Sequence, residues 1–331
     1  MAFVAGKSGG HIVPCLTIAQ RYSDSNILFF STPLELDKKI INQSGIVSHH
    51  YMIPFYYKPY SFFEYISSTI YAIVSFFTAL KQFVYYWPDR LITTGGICAI
   101  PVVIAAFCLS IPIDMYVLDA VPGKALIALA PFATHIYCCF ENAKVYFKQN
   151  NVSLALYPVR YSNDQLSITK EQACAQLGFD VSKKTICILG GSQGSHFLND
   201  IILKWITENP NASFKINIIH QYGNDTRYNF KKWYQQHGID AVSFDYASDL
   251  RFCYAAADLV IARAGAGTIF ELHAFGKKTI LIPLHADSTA HQIDNAQSIV
   301  QMYPDLFTFL LQKDIELNSG LLYKKISGVL D

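Results

Sequence analysis

Short apolar runs separated by longer mixed stretches recur along the whole chain, and their rhythm predicts parallel sheets. In the first half these runs fall at 3–5, 26–30, 49–53, 90–93, 113–118 and 135–139. In the second half they fall at 185–189, 215–220, 241–244, 259–262, 279–282 and 307–311. Runs that stay apolar instead of alternating suit strands covered on both faces. The stretches between them are helical in spacing, so strand, helix and strand follow one another through right-handed crossovers. The predicted fold class is α/β with two Rossmann-like domains, 1–160 and 161–331, and the polar stretch 160–169 reads as their linker. A length of 331 residues is long for one core and comfortable for two.

Segment 61–87 departs from that rhythm. Its polar residues Ser61, Glu64, Ser68, Tyr71, Ser75, Thr78 and Gln82 are separated alternately by three and four positions, which puts them on one narrow stripe of a helix. The remainder is largely apolar and includes Phe76, Phe77, Leu80 and Phe83. Such a helix is long enough to cross a bilayer, but a spanning segment would interrupt a sheet that resumes at Arg90. The expected arrangement is a helix packed on the sheet by one side and dipped into lipid by the other. Lys58, Lys81 and Arg90 flank it and are placed to meet anionic headgroups.

Composition adds three limits. The chain is 52% hydrophobic and 14% aromatic, with mean hydropathy +0.23, more than buried parallel strands alone explain. A net charge of +1 gives no basic excess for a nucleic-acid partner. The eight cysteines, at 15, 98, 108, 138, 139, 174, 187 and 253, show no CxxC pair or zinc spacing and read as buried free thiols in a reducing compartment. No signal peptide is read, because a strand-like run begins at Phe3 and feeds directly into a glycine-rich loop.

The candidate chemistry sits where apolar runs hand over to helices. GGSQGS at 190–195 follows one such run and RAGAGTIFE at 263–271 follows another. Glycines allow close approach of the backbone to a ligand, and the free N–H groups of a helix N-terminus favour an anion. Glu271 stands one turn into the second helix, and His291 and Gln292 lie beyond the next strand. Together these features predict a nucleotide-diphosphate site. The loop at 6–11 contains GKS, but a P-loop needs glycine five residues before Gly6, where Met1 stands. The same loop lacks GxGxxG, which disfavours an NAD dehydrogenase. His11 closes it at the entrance of a helix, where an imidazole can take a proton from an attacking hydroxyl or hold an acceptor.

The order GGSQG…RSGAxTxxE…HQxxNA, an AGGTGGHxxP-like loop at 5–14, Trp87-Pro-Asp89, Gly95-Gly96, Ala120-Val-Pro-Gly123 and Tyr157-Pro-Val-Arg160 together carry a resemblance. From about Phe3 to Asn295 the chain resembles the MurG family of peptidoglycan N-acetylglucosaminyltransferases, glycosyltransferases of family 28. The resemblance implies a GT-B fold, with two parallel sheets facing a central cleft and the last helix crossing back to the first domain. It implies inverting transfer of GlcNAc from UDP-GlcNAc to undecaprenyl-diphosphate-MurNAc-pentapeptide, peripheral on the cytoplasmic face of the inner membrane. No cofactor or metal is implied, and the expected partners are UDP-GlcNAc, the undecaprenyl-linked acceptor and an anionic membrane surface.

By the same resemblance His11 is catalytic, and Ser8, Gly9, Gly10 and Asp119 approach the donor from the first domain. Arg160 contacts the nucleotide, Ala247 holds the uracil through its backbone and Ser192 lies against the diphosphate. The helix opening at Ala266, Gly267 and Thr268, continuing through Ile269 and Phe270, stabilises departing UDP; Glu271 takes the ribose hydroxyls and Gln292 the sugar hydroxyls.

The acceptor side departs from the pattern. HEQNAVPG becomes Tyr116-Val-Leu-Asp-Ala-Val-Pro-Gly123, so Val117, Leu118 and Asp119 replace an acid, an amide and an asparagine. GGYVSGP becomes Gly95-Gly-Ile-Cys-Ala-Ile-Pro101, and Lys7 stands where the family has glycine. A related enzyme with another lipid acceptor, and a membrane-bound nucleotide-sugar binder without activity, therefore stay open.

Overall fold

The structure, a computed structural model, describes residues 1–6, 9–54, 61–148, 151–191, 194–210, 215–284 and 291–330, without the side chains at 62, 65 and 330. The chain divides into two compact units, Met1–Arg160 and Tyr161–Asp331.

In the first unit the strands are β1 (Ala2–Val4), β2 (Leu28–Ser31), β3 (His49–Met52), β4 (Leu91–Thr93), β5 (Ile113–Val117), β6 (His135–Cys138) and β7 (Val152–Leu154). Among the described residues they form one parallel sheet in the order β3-β2-β1-β4-β5-β6-β7. The connections run one way from β1 to β2 and β3, and the other way from β4 onward. That reversal leaves a crevice beyond the carboxyl ends of β1 and β4, where open α/β sheets bind ligands. The helices are α1 (Gly9–Ala19), α2 (Glu35–Ser44), α3 (Phe62–Tyr86), α4 (Ala99–Cys108) and α5 (Lys124–Leu129). Phe3 pairs in register with Phe29 and Ile92, and all three are buried with Ile12, Leu16 and Ile18 of α1.

The second unit repeats the plan. Its helices are α6 (Asn163–Leu166), α7 (Lys170–Leu177), α8 (His196–Glu208), α9 (Phe230–Gln236), α10 (Arg251–Ala256), α11 (Ala266–Ala274), α12 (His291–Met302), α13 (Gln312–Leu317) and α14 (Gly320–Leu330). Its strands are β8 (Lys184–Leu189), β9 (Ile216–Gln221), β10 (Asp240–Phe244), β11 (Leu259–Ala262), β12 (Thr279–Leu281) and β13 (Phe307–Phe309). They pair in parallel in the order β10-β9-β8-β11-β12-β13, so the reversal falls between β8 and β11. The two glycine-rich motifs follow those two strands.

In the second unit Leu322 and Ile326 of α14, four positions apart on one face, are fully buried with Trp205 and Ile280 in its core. Two features differ from the sequence expectation. β7 has no strong apolar signal, because it is a three-residue edge strand with Ser153 and Leu154 exposed. The second difference concerns α3.

Helix α3 starts where the sequence predicts, with the Ser61 hydroxyl accepting the Glu64 N–H. It is turned inside out. The polar stripe faces the protein: Ser75 is buried and donates to the Pro54 carbonyl at 3.2 Å, while Ser68, Thr78 and Gln82 are half-buried. Ala79 and Phe83 are buried on that side, and the Phe83 ring packs edge-on to Phe30 at 5.4 Å. Phe83 is thus a core residue and leaves the predicted lipid patch. Phe77 is 60% exposed and Ile70 54%, with Ile66, Ile73 and Val74 exposed beside them; Phe76 and Leu80 are half-buried. Arg90 also leaves the set of headgroup cations, since it donates to Asp114 at 2.6 Å. Lys58 lies outside the described residues, and Lys81 is exposed. Among the described residues no helix is long and apolar enough to cross a membrane.

Candidate functional site

In the second unit the residues at the sheet reversal form one connected frame. Gly194 follows β8 with φ +80°, and a Cβ there would stand 2.4 Å from the Tyr222 carbonyl oxygen, so the loop after β8 can lie against the loop after β9 only with glycine. Ser195 caps α8 by accepting the Leu198 N–H. Arg263, buried at the end of β11, donates to Ser195 Oγ at 2.6 Å, to Gln312 Oε1 at 2.9 Å and to the Ile282 carbonyl at 3.0 Å. Gly265 caps α11 without a side chain, leaving the first-turn N–H groups of Ala266, Gly267 and Thr268 directed outward from the helix.

Glu271 lies on α11, buried at 8% exposure, and its Oε2 accepts the Tyr254 hydroxyl at 2.9 Å. Tyr254 is itself flanked by Tyr161 and Phe275 rings, and the Tyr161 hydroxyl accepts the Leu250 N–H at 3.0 Å. This aromatic group fixes α10, α11 and the loop carrying half-buried Ala247 around one carboxylate. Gln292 opens α12, and its Oε1 accepts the Leu284 N–H at 3.0 Å, which turns the amide nitrogen the other way. Asn295, fully buried, donates to the Ala264 carbonyl and ties α12 to the loop before α11. Ile269 and Phe270 are buried packing residues. Ser8 and Ser192 lie outside the described residues.

Behind these loops lies a buried polar chain. Asn199 Nδ2 donates to the Tyr222 carbonyl at 3.1 Å and to Asp225 at 2.9 Å, so its Oδ1 accepts from His220 Nε2 at 3.0 Å. His220 Nδ1 then accepts the Tyr234 hydroxyl at 2.7 Å. Arg227 and Asn199 hold the Asp225 carboxyl far below the usual carboxylate range. Burial pushes His220 down from 6.5 to about 3. The unfolded state therefore takes up a proton between pH 6.5 and about 3 that the folded ring refuses. This contribution is full above pH 6.5 and lost as pH falls, by up to about 1.4 kcal/mol per pH unit. His220→Gln is expected to flatten the fall of the urea midpoint over that window by roughly one proton's worth. An unaltered slope would refute the assignment.

In the first unit the loops after β1, β4 and β5 converge. His11 is the third residue of α1, half-buried, and its carbonyl accepts the Thr94 hydroxyl at 2.9 Å. Gly95 has φ +98°, and a Cβ there would stand 2.8 Å from Leu126 Cγ of α5, while a Cβ on Gly96 would touch the Gly6 carbonyl at 3.6 Å. Gly9 and Gly10 form the first turn of α1, Gly10 exposed. Burial pushes the neighbouring Cys98 thiol up to about 12. Asp119 is half-buried between β5 and α5, near enough to Cys139 to help raise that thiol after burial has done most of it. Val117 and Leu118 are buried. Arg160, half-buried, ends this unit. Of the eight cysteines only Cys108 is exposed, and among the described residues no cluster of His, Cys, Asp or Glu could hold a metal ion.

Residues 1–138 match the glycosyltransferase family 28 N-terminal domain, and residues 185–322 match its C-terminal domain. The chain belongs to glycosyltransferase family 28. It is 31% identical, over 98% of its length and 88% of the relative's, to a Thermodesulfovibrio yellowstonii protein. That relative is the UDP-N-acetylglucosamine--N-acetylmuramyl-(pentapeptide) pyrophosphoryl-undecaprenol N-acetylglucosamine transferase. The Halothermothrix orenii enzyme of the same name is 30% identical over 100% of this chain and 90% of that one. Among solved structures, Acinetobacter baumannii MurG superposes with a TM-score of 0.74 at 21% identity, covering 100% of this chain and 90% of that one. The Neisseria meningitidis UDP-GlcNAc 2-epimerase bound to UDP-GlcNAc gives 0.59 at 14%, covering 92% of each. At those identities the likeness shows the fold, two parallel α/β domains of the GT-B class.

For this family 28 chain the sequence motifs located the glycine loops and Glu271. They missed Arg263 as a connector, Ser195 as its target, and Tyr161 and Tyr254 around Glu271. The arginine was visible inside RAGAGTIFE, but its partners come from 68, 19 and 49 residues away along the chain.

Proposed function

We propose that this chain transfers GlcNAc from UDP-GlcNAc to undecaprenyl-diphosphate-MurNAc-pentapeptide, with inversion at the sugar C1. The observation that carries the reading is the donor-type frame of the second unit: two glycine loops at the β8/β11 reversal and a buried carboxylate, Glu271, fixed by Tyr254. In the reaction the acceptor hydroxyl attacks C1, His11 takes its proton, and UDP leaves with the bonding pair. The N-terminus of α11, with Ser192, meets the charge growing on UDP. Glu271 accepts from the ribose hydroxyls, Gln292 donates to the sugar, Ala247 holds the uracil, and Arg160, Ser8, Gly9 and Gly10 complete the donor contacts. The scheme needs no cofactor or metal.

The outward apolar face of α3, with Lys81 beside it, would hold the chain peripherally on the cytoplasmic side of an anionic inner membrane. Phe77→Asp is expected to lower binding to anionic phospholipid vesicles about tenfold to a hundredfold, the scale of one buried phenyl ring. Sedimentation at native levels would contradict the placement.

Burial of Val117 and Leu118, where the family carries polar side chains, favours a second reading, the same donor chemistry on another lipid acceptor. UDP release from UDP-GlcNAc, measured with lipid I and with diacylglycerol, separates the two. Release with lipid I supports the first, and release only with diacylglycerol supports the second. Donor binding without release on either lipid would leave a nucleotide-sugar binder.

A further inference from the structure

We infer that Arg263 is a positioning residue that, through Ser195, locks the two glycine-bearing loops of the second unit into a single frame for the donor diphosphate. This rests on the donor reading above. One planar guanidinium reaches four segments: its own strand end before α11, the α8 cap at Ser195 (2.6 Å), the Ile282 carbonyl beyond β12 (3.0 Å) and Gln312 of α13 (2.9 Å). A lysine ammonium has the charge but not the flat fork needed to serve these partners at once. Ser195 passes the constraint on, because the same hydroxyl accepts the Leu198 N–H and so sets where α8 begins.

The cation is expensive to keep where it is. Arg263 is 8% exposed, and burial pushes its guanidinium down to about 10, still charged at neutral pH. Among the described residues no carboxylate forms an ion pair with it; Glu316 acts on it from a distance, with Gln312 between them donating to Glu316 through Nε2 at 2.7 Å. A buried charge hydrogen-bonded only by neutral groups keeps most of its field, of which the Glu316 carboxylate offsets a part. That field adds to those of the α8 and α11 N-termini, which the same guanidinium holds in place. The combined effect acts on phosphate charge and not on the nucleoside.

UDP and uridine affinities of the native chain, Arg263→Lys and Ser195→Ala therefore test it. Both variants are expected to weaken UDP about tenfold and leave uridine unchanged, with the double variant no weaker than Arg263→Lys alone. Ser195→Ala keeps the bonds from Arg263 to Ile282 and Gln312, so it remains informative if Arg263→Lys folds poorly. Equal loss of UDP and uridine, or a lowered melting temperature with both affinities intact, would overturn the inference and leave Arg263 a purely architectural residue. A native chain that binds neither ligand would overturn the donor reading itself, which keeps the two failures apart.

Discussion

His11→Ala is expected to lower kcat by about 10²–10⁴-fold, the usual contribution of a positioned general base, with UDP affinity unchanged. The substitution is clean in structural terms. The bond that anchors this turn of α1 runs from the Thr94 hydroxyl to the carbonyl of residue 11, so the backbone contact survives loss of the imidazole. A fall in kcat without a change in thermal midpoint would place the ring in the proton transfer. An unchanged kcat would remove His11 from it, and Asp119, the carboxylate in the loop after β5, would become the residue to examine.

Glu271→Ala is expected to weaken UDP-GlcNAc by roughly 1.5–3 kcal/mol, the range for losing hydrogen bonds to a charged group. Tyr254 holds one carboxylate oxygen, Oε2, in place. With that oxygen engaged, the carboxylate has a set orientation and can accept from paired hydroxyls without first losing rotamer freedom. Tyr254→Phe should therefore weaken the donor less than Glu271→Ala does. Titration of the native chain with a nucleotide sugar lacking the ribose 2′-hydroxyl provides the counter-test. Equal affinity for the two donors would contradict the ribose assignment, whatever the variants do.

Much of the architecture was legible along the chain because parallel strands must be apolar on both faces. Leu259–Ala262 is found at the expected residues, and the other expected strands shift by a residue or two at their ends. β7 escaped because an edge strand of three residues buries too little to leave a pattern. Helix α3 shows a different limit. Spacing of three and four residues says that Ser68, Ser75 and Thr78 share a side, but not which way that side points. Burial of Ser75 against the Pro54 carbonyl decides it. In the donor frame, glycines and Glu271 were readable because backbone conformation and helix position are local properties. The links from Arg263 to Ser195, Ile282 and Gln312 were not, since they join segments brought together only by the sheet.

The six strands β3-β2-β1-β4-β5-β6 of the first sheet and β10-β9-β8-β11-β12-β13 of the second have the same connectivity. The chain thus carries one scaffold twice, and the two copies differ in their inserted loops. The loops of the second copy keep the family wording after β8 and, but for Ala264 in place of serine, after β11, while those of the first depart from it after β4 and β5. Such a duplicated plan lets one copy change what it recognises while the other keeps its role, because altered loop residues leave the strand pairing beneath them intact. The apolar replacements at Ile97 and Leu118 stand in such loops, while Val117 is the last residue of β5 and pairs with Cys138.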